Sequence, residues 1–270
     1  MRGTRLTTAA VVVLMLVSAG AARGAASDHV TNIWMDQGAY YGRPGDPVSY
    51  GIEIVLEGDS TIQSVSLLTP ASNTFALSTG MAPPNWWWHE AYFDTPAGLA
   101  AYGDGNYAFT IQYAGGGSDT TTIPFSRVGG GPLVQPTQKP NITYPTDGTM
   151  NVPVTPTFSW DAVQDANANQ IWIEWNKGPL FDEGPPEGSM GLPVTATNLT
   201  PGSPLLSGTD YQAWLDFLDD RAGTNTDGIP FDVNKYIEVT TQFTTTPEPA
   251  TMGLIVIGVA GMLARRGRKS

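Results

Sequence analysis

Apolar and polar positions alternate with a period of two through much of this chain. Val48, Tyr50, Ile52, Ile54 and Leu56 are interleaved with Ser49, Gly51, Glu53, Val55 and Glu57, as in a strand with one buried face. Gly58-Asp59 turns the chain, and residues 62–68 return. Tyr107, Phe109, Ile111 and Tyr113 share a face, Gly115-Gly116-Gly117-Ser118-Asp119 turns, and residues 120–125 come back as a second hairpin. Farther on, Pro156-Thr157-Phe158-Ser159-Trp160, then Ile171, Ile173 and Trp175 on one face, then residues 206–214 and 235–245, repeat the short-strand pattern. No long amphipathic stretch breaks in. The pattern predicts an all-β fold of two antiparallel β-sandwich domains, flanked by an N-terminal signal helix and a short C-terminal hydrophobic helix.

Punctuation divides the chain. Residues 128–139 read Val-Gly-Gly-Gly-Pro-Leu-Val-Gln-Pro-Thr-Gln-Lys, too rich in glycine and spaced prolines for a core, which predicts a linker between domains at 27–127 and 140–245. A stretch from Phe181 to Met190, containing Pro185-Pro186, reads as a long loop. At the N-terminus Arg2 and Arg5 precede an apolar run over residues 9–17 and a small-residue segment ending Gly24-Ala25-Ala26, a secretory signal peptide over residues 1–26. With 31 glycines, 22 prolines and no cysteine, an exported chain of this kind must hold its fold by its cores alone.

At the other end Pro247-Glu248-Pro249 stays extended, because proline locks φ and restricts its predecessor. Residues 251–264 follow without a charge. As a helix they reach about 21 Å, short of a hydrocarbon core of about 30 Å, which suits a temporary anchor. Arg265, Arg266, Arg268 and Lys269 then hold the end in the cytoplasm. These three parts in order, over residues 246–270, resemble the PEP-CTERM sorting signal of exopolysaccharide-producing Gram-negative bacteria, with Pro247, Glu248, Pro249, Arg265 and Arg266 as its motif. The resemblance implies transient inner-membrane insertion, processing by an exosortase-type protease, and delivery to the cell surface or extracellular matrix. Such tails are also described as the C-terminal region of ice-binding proteins. Residues 140–245 resemble a fibronectin type III or related immunoglobulin-like sandwich: Pro140-Asn141-Ile142-Thr143-Tyr144-Pro145 as first strand, Trp160 as core tryptophan, and Tyr211 as a tyrosine-corner residue whose hydroxyl bonds back to the preceding turn.

Charge narrows the partners. Seven of the 13 basic residues lie in the two terminal signals, while only Glu248 of the 25 acidic residues does, so the exported body carries about −18. That excludes nucleic acid and anionic lipid as partners, because phosphate backbones are repelled. Catalytic signals are sparse. The two histidines, His29 and His89, stand in no metal-ligand or triad spacing, and no thiol nucleophile exists. The expectation is a non-enzyme without cofactor, a glycosidase carboxylate pair being the lesser alternative. Asp216, Asp219, Asp220 and Asp227 crowd one strand end and loop and are candidate calcium ligands. Trp86-Trp87-Trp88-His89-Glu90, with Tyr92, is a candidate carbohydrate platform, since three consecutive indoles in a strand cannot all enter one core. In the alternative packing, Trp86 and Trp88 close a sandwich and Trp87 covers the linker or second domain. Thr120-Thr121-Thr122, Thr240-Thr241 and Thr244-Thr245-Thr246 lack the in-register repeat that an ice-binding face needs.

Overall fold

The computed structural model describes residues 25–79, 85–127, 129–178 and 188–247. The signal peptide up to residue 24, the apolar run at 251–264, and Glu248, Pro249, Arg265 and Arg266 lie outside them. In the first half the strands are β1 (Val30–Tyr40), β2 (Ser49–Gly58), β3 (Ile62–Leu68), β4 (Thr74–Ala76), β5 (Trp86–Phe93), β6 (Gly105–Tyr113) and β7 (Ser118–Phe125), with short 3-10 turns at Ala26–Asp28 and Pro96–Tyr102. In the second they are β8 (Ile142–Tyr144), β9 (Thr149–Val152), β10 (Phe158–Trp160), β11 (Gln170–Lys177), β12 (Gly188–Pro193), β13 (Asn198–Leu199), β14 (Asp210–Thr224) and β15 (Pro230–Thr245). Residues 188–190, expected at the end of a loop, therefore open an edge strand. Among the described residues no helix is long and apolar enough to cross a membrane.

One sheet runs through both halves, in the order β12-β11-β14-β15-β1-β2-β5, with β9 beside the end of β15. Two smaller sheets cover its inner face: β4-β3-β6-β7 over the first half and β13-β10-β8 over the second. The seam is a parallel pairing of β1 with β15, from Ile33↔Phe231 to Tyr40↔Glu238. Two apolar cores lie beneath this shared sheet. The first gathers Ile33, Met35, Ile54, Phe109 and Phe125 but also takes Ile229, Phe231 and Val233 from the far end of the chain. The second gathers Phe158, Trp160, Ile173, Leu215 and Phe217 with Ile237 and Val239. β15 thus feeds one core with its first residues and the other with its later ones. Where the pattern predicts two separate sandwiches, the long β14–β15 hairpin joins them.

That hairpin is held at its tip by Asn225. Its side-chain oxygen accepts from the Asp227 and Ile229 amides, and its amide nitrogen donates to Thr121 Oγ1 and the Thr122 carbonyl of β7. Residues 129–139 are likewise more than a spacer. Leu133 is 2% exposed in the first core, the Val134 amide donates to Asp219, and Gln135 Nε2 donates to the Tyr236 carbonyl. The Thr137 and Gln138 amides both donate to Asp165. In the second half the Leu206 amide donates to the Tyr211 hydroxyl at 2.9 Å, the corner that the sequence suggests, and buried Trp160 donates from Nε1 to the Ala196 carbonyl.

Candidate functional site

The shared sheet has a second face, turned away from both cores, and its composition is unlike an ordinary solvent face. Strand alternation puts Trp34 and Asp36 of β1, Glu53 of β2, and Trp86, Trp88, Glu90 and Tyr92 of β5 on it, because their neighbours Ile33, Ile54 and Trp87 are buried on the first core. The same alternation adds Trp172 and Glu174 of β11, Trp214, Asp216 and Asp220 of β14, and Asp232, Asn234, Tyr236 and Glu238 of β15. Five of the chain's eight tryptophans lie on this face. None of the strand positions on it is Lys, Arg or His.

Register sets the side chains in rows. Glu90 pairs with Glu53, Glu53 with Asp36, Asp36 with Asn234, and Asn234 with Asp220, one row across five strands. A second row, the next but one on this face, runs Glu238, Asp216, Trp172. Between them lie glycines over which rings pass: a Cβ on Gly51 would come within 2.7 Å of the Tyr40 ring and 2.8 Å of Tyr92, and one on Gly38 within 2.7 Å of Tyr236. Tyr40 meets Tyr92 and Tyr236 edge-on, with centroids 5.5 and 5.2 Å apart, and Trp34 meets Trp86 at 4.8 Å.

So many carboxyls in partial burial resist ionisation. Burial, then Glu53, Asp232 and Asp216, raises Asp36 far above the usual carboxylate range, against the Asn234 amide that donates to it at 2.5 Å. Asp216 is also held well up, by burial and then by Glu238 and Glu174. Burial pushes Glu53 to about 7, with Glu90 and Glu174 adding to it. Glu238 is pushed to about 8 by burial and Glu174. Asp220 also reaches about 8, through burial and the hydrogen bond and charge of Asp232. The side-chain oxygens Asp216 Oδ1, Asp232 Oδ1 and Asn234 Oδ1 are buried without a hydrogen-bond donor.

The candidate residues divide between faces. Trp86, Trp88, Glu90 and Tyr92 share the outer face, whereas Trp87 enters the first core opposite Leu56, the reverse of a packing in which Trp86 and Trp88 close the sandwich. His89 also turns inward, bonded to the Tyr102 hydroxyl at 2.7 Å and stacked near Phe75, and its burial lowers its pKa. The four candidate calcium ligands do not meet. Asp216 and Asp220 lie on the outer face. Asp219 is buried on the inner side against Arg127 Nε at 2.7 Å, and Asp227 accepts from Thr121 at the hairpin tip. Among the described residues no group of three or more His, Asp and Glu side chains is placed to hold a metal ion. Trp34, Trp172, Trp214 and the carboxyl rows escape sequence reading because strands far apart in the chain supply them; only the register between those strands unites them.

Two cavities open elsewhere. One of 320 Å³ lies by Arg43, Met150, Asp210 and Phe243. The other, of 340 Å³, lies where β14 meets the residues after β7 and before β11, by Arg127, Asn169, Asp219 and Arg221. Their guanidinium groups are engaged: Arg43 grips Asp147, Arg127 pairs with Asp219, and Arg221 donates to the Ser126 carbonyl. At the end of β15 the Thr246 amide donates to the Val152 carbonyl, and Pro247 is exposed immediately beyond it.

No curated protein matches the chain. Among solved structures, the FN1-FN3 domains of chicken CNTN1 align over 72% of this chain and 61% of theirs, at 13% identity and a TM-score of 0.25. A 1.5-MDa bacterial ice-binding adhesin, studied for host cell surface retention, aligns over 80% of this chain and 64% of its own, at 14% identity and a TM-score of 0.22. Escherichia coli alpha-2-macroglobulin activated by porcine elastase aligns over 80% and 20%, at 10% identity and a TM-score of 0.23. The chain spans less than two thirds of each of these, and at such TM-scores nothing about it follows from them. The tail gives the firm result: residues 245–269 carry the PEP-CTERM protein-sorting motif, which implies export to the cell surface through exosortase recognition.

Proposed function

We propose that the protein is an exported, non-enzymatic component of the cell surface or extracellular matrix that binds polysaccharide through the outer face of its shared sheet. The tail supplies the address and the sheet the grip. One observation carries the reading: five tryptophans, two of them the Trp86 and Trp88 of the sequence motif, lie on the face that neither core uses. An indole kept away from a core stacks well on the apolar face of a sugar ring, and half-buried carboxyls that keep their protons both donate to and accept from hydroxyls.

Affinity electrophoresis of the purified chain in gels cast with polysaccharide, run beside the Trp88→Ala and Trp172→Ala variants, tests the reading. Retardation of the parent and faster migration of the variants is expected. Equal mobility of all three in every polysaccharide would sink it. Release of new reducing ends during the run would make the protein a hydrolase that uses a carboxyl pair of this face, and would overturn the non-enzymatic part.

A further inference from the structure

We infer that the polysaccharide taken by this face is a polycation, an amino-sugar polymer with free ammonium groups. This rests on the polysaccharide-binding reading above and adds the ligand's charge. The first ground is the imbalance of acidic and basic groups. The central carboxyls Asp36, Glu53, Asp216, Asp220 and Glu238 share one face with no cation among its strand positions. Five of the body's six cations are engaged elsewhere: Arg43 with Asp147, Arg127 with Asp219, Lys235 with Asp104, Arg221 at Ser126, and Lys139 over the Tyr41 ring. Carboxyls that burial and mutual repulsion keep protonated, with no counter-charge among them, ionise when a cation is brought to them, so this face favours a ligand that carries positive charge.

The second ground is independent of charge. Asn234 sits in the middle of the carboxyl row, only 8% exposed, with its amide nitrogen spent on Asp36 and its amide oxygen unmatched. Asp232 Oδ1, two residues back on β15, and Asp216 Oδ1, in the row of Glu238, are also unmatched. Asn234 Oδ1 accepts in every protonation state and the two aspartate oxygens accept once their carboxyls ionise, while among the described residues Trp86 Nε1 is the one unmatched buried atom of this face that can only donate, so the occupant is one that brings mostly donors. An ammonium group brings three N–H donors and no acceptor, whereas a hydroxyl brings one donor and further acceptors, and a uronate brings acceptors and the wrong charge. The shape of the cluster separates a polymer from an ion. The carboxyls are strung across neighbouring strands at the strand spacing of about 4.8 Å, a length close to one pyranose ring. They do not converge on a point, in keeping with the absence among the described residues of a three-ligand metal group. Tryptophans beside the rows offer π-faces to ring carbons and to ammonium alike.

Isothermal titration of the purified chain with glucosamine oligomers, with N-acetylglucosamine oligomers of the same length, and with galacturonate oligomers, at two salt concentrations, tests this. The glucosamine oligomer should bind about 10-fold or more tighter than its acetylated twin, with the gap shrinking as salt screens it. Glu53→Gln and Glu90→Gln should narrow the gap while Trp88→Ala weakens both ligands. Glu90 is exposed, so its variant folds irrespective of the outcome at Glu53, and near-UV circular dichroism checks both. Equal affinity for the free and acetylated oligomers would overturn the inference and leave the polysaccharide reading standing. Preference for galacturonate would overturn the inference in the same way. No binding to any oligomer or polymer would remove both.

Discussion

At the scale of single residues, Trp86, Trp87 and Trp88 show what one sequence step decides. Alternation requires these indoles to divide between faces, and that much is legible in the sequence. Which indole goes inside depends on the pairing Leu56↔Trp87, a register fixed by the buried partners of β2 and not by anything in the triplet. Trp87 is 9% exposed in the first core, so Trp87→Ala should cost about 3–5 kcal/mol in urea unfolding, the range for large aromatic deletions. Trp88→Ala, on the outer face, should cost about 1 kcal/mol or less. A larger loss at Trp88 than at Trp87 would reverse the assignment of faces. The glycines opposite the tyrosines carry a related lesson. In the sequence Gly38 and Gly51 only weaken a strand; in the sheet they are the ground on which Tyr236, Tyr40 and Tyr92 lie flat, a cross-strand partnership of ring and glycine.

At the scale of elements, β14, β15 and β1 bring together groups that make stability depend on pH. Glu53 is held near 7, and Asp220 and Glu238 near 8, while Asp36 and Asp216 are held well above the usual carboxylate range by burial and by neighbouring carboxyls. In the unfolded chain the same carboxyls titrate at about 4. Between these values the folded protein binds more protons than the unfolded one, so stability falls as pH rises from about 4.5 to about 8. Asp165, lowered to about 2 by backbone amides of residues 137, 138 and 167 despite its desolvation, works in the opposite sense, and its contribution is lost on acidification below about 4. Tm should therefore be highest near pH 5 and decline toward pH 8.5, and Glu238→Gln should flatten the decline. A Tm that climbs from pH 5 to pH 8 would show that these carboxyls are ionised and stabilising. None of this is legible in the sequence, where the same residues read as ordinary polar positions of alternating strands. The tyrosine corner at Tyr211 is legible because its partner, Leu206, lies within one turn of chain.

At the scale of the whole molecule, the hairpins were readable and the way they join was not. Residues 49–58, 62–68, 107–113 and 120–125 announce themselves by local alternation. The parallel seam of β1 with β15 links positions almost two hundred residues apart, and no local pattern encodes it. Proline and glycine at 128–139 suggest a place to cut, but Leu133 plugs the first core and Val134 and Gln135 bond to β14 and β15. The physical consequence concerns independence. A fragment of residues 25–127 keeps β1–β7 but loses Leu133, Ile229, Phe231 and Val233 from its core, and leaves β1 as a long unpaired edge. Removing these four buried apolar side chains, at about 1.5–3 kcal/mol each, takes most of the margin of about 5–15 kcal/mol that an ordinary domain has. An exposed edge of that length also invites aggregation. The fragment should lack the dispersed amide spectrum of a folded β protein, and adding residues 129–247 in trans should restore it in part. In the intact chain, because β15 serves both cores, tryptophan fluorescence and far-UV circular dichroism should trace one coincident urea transition. Two separated transitions, or a well-folded 25–127 fragment, would mean that the seam merely brings together two units that are each stable alone.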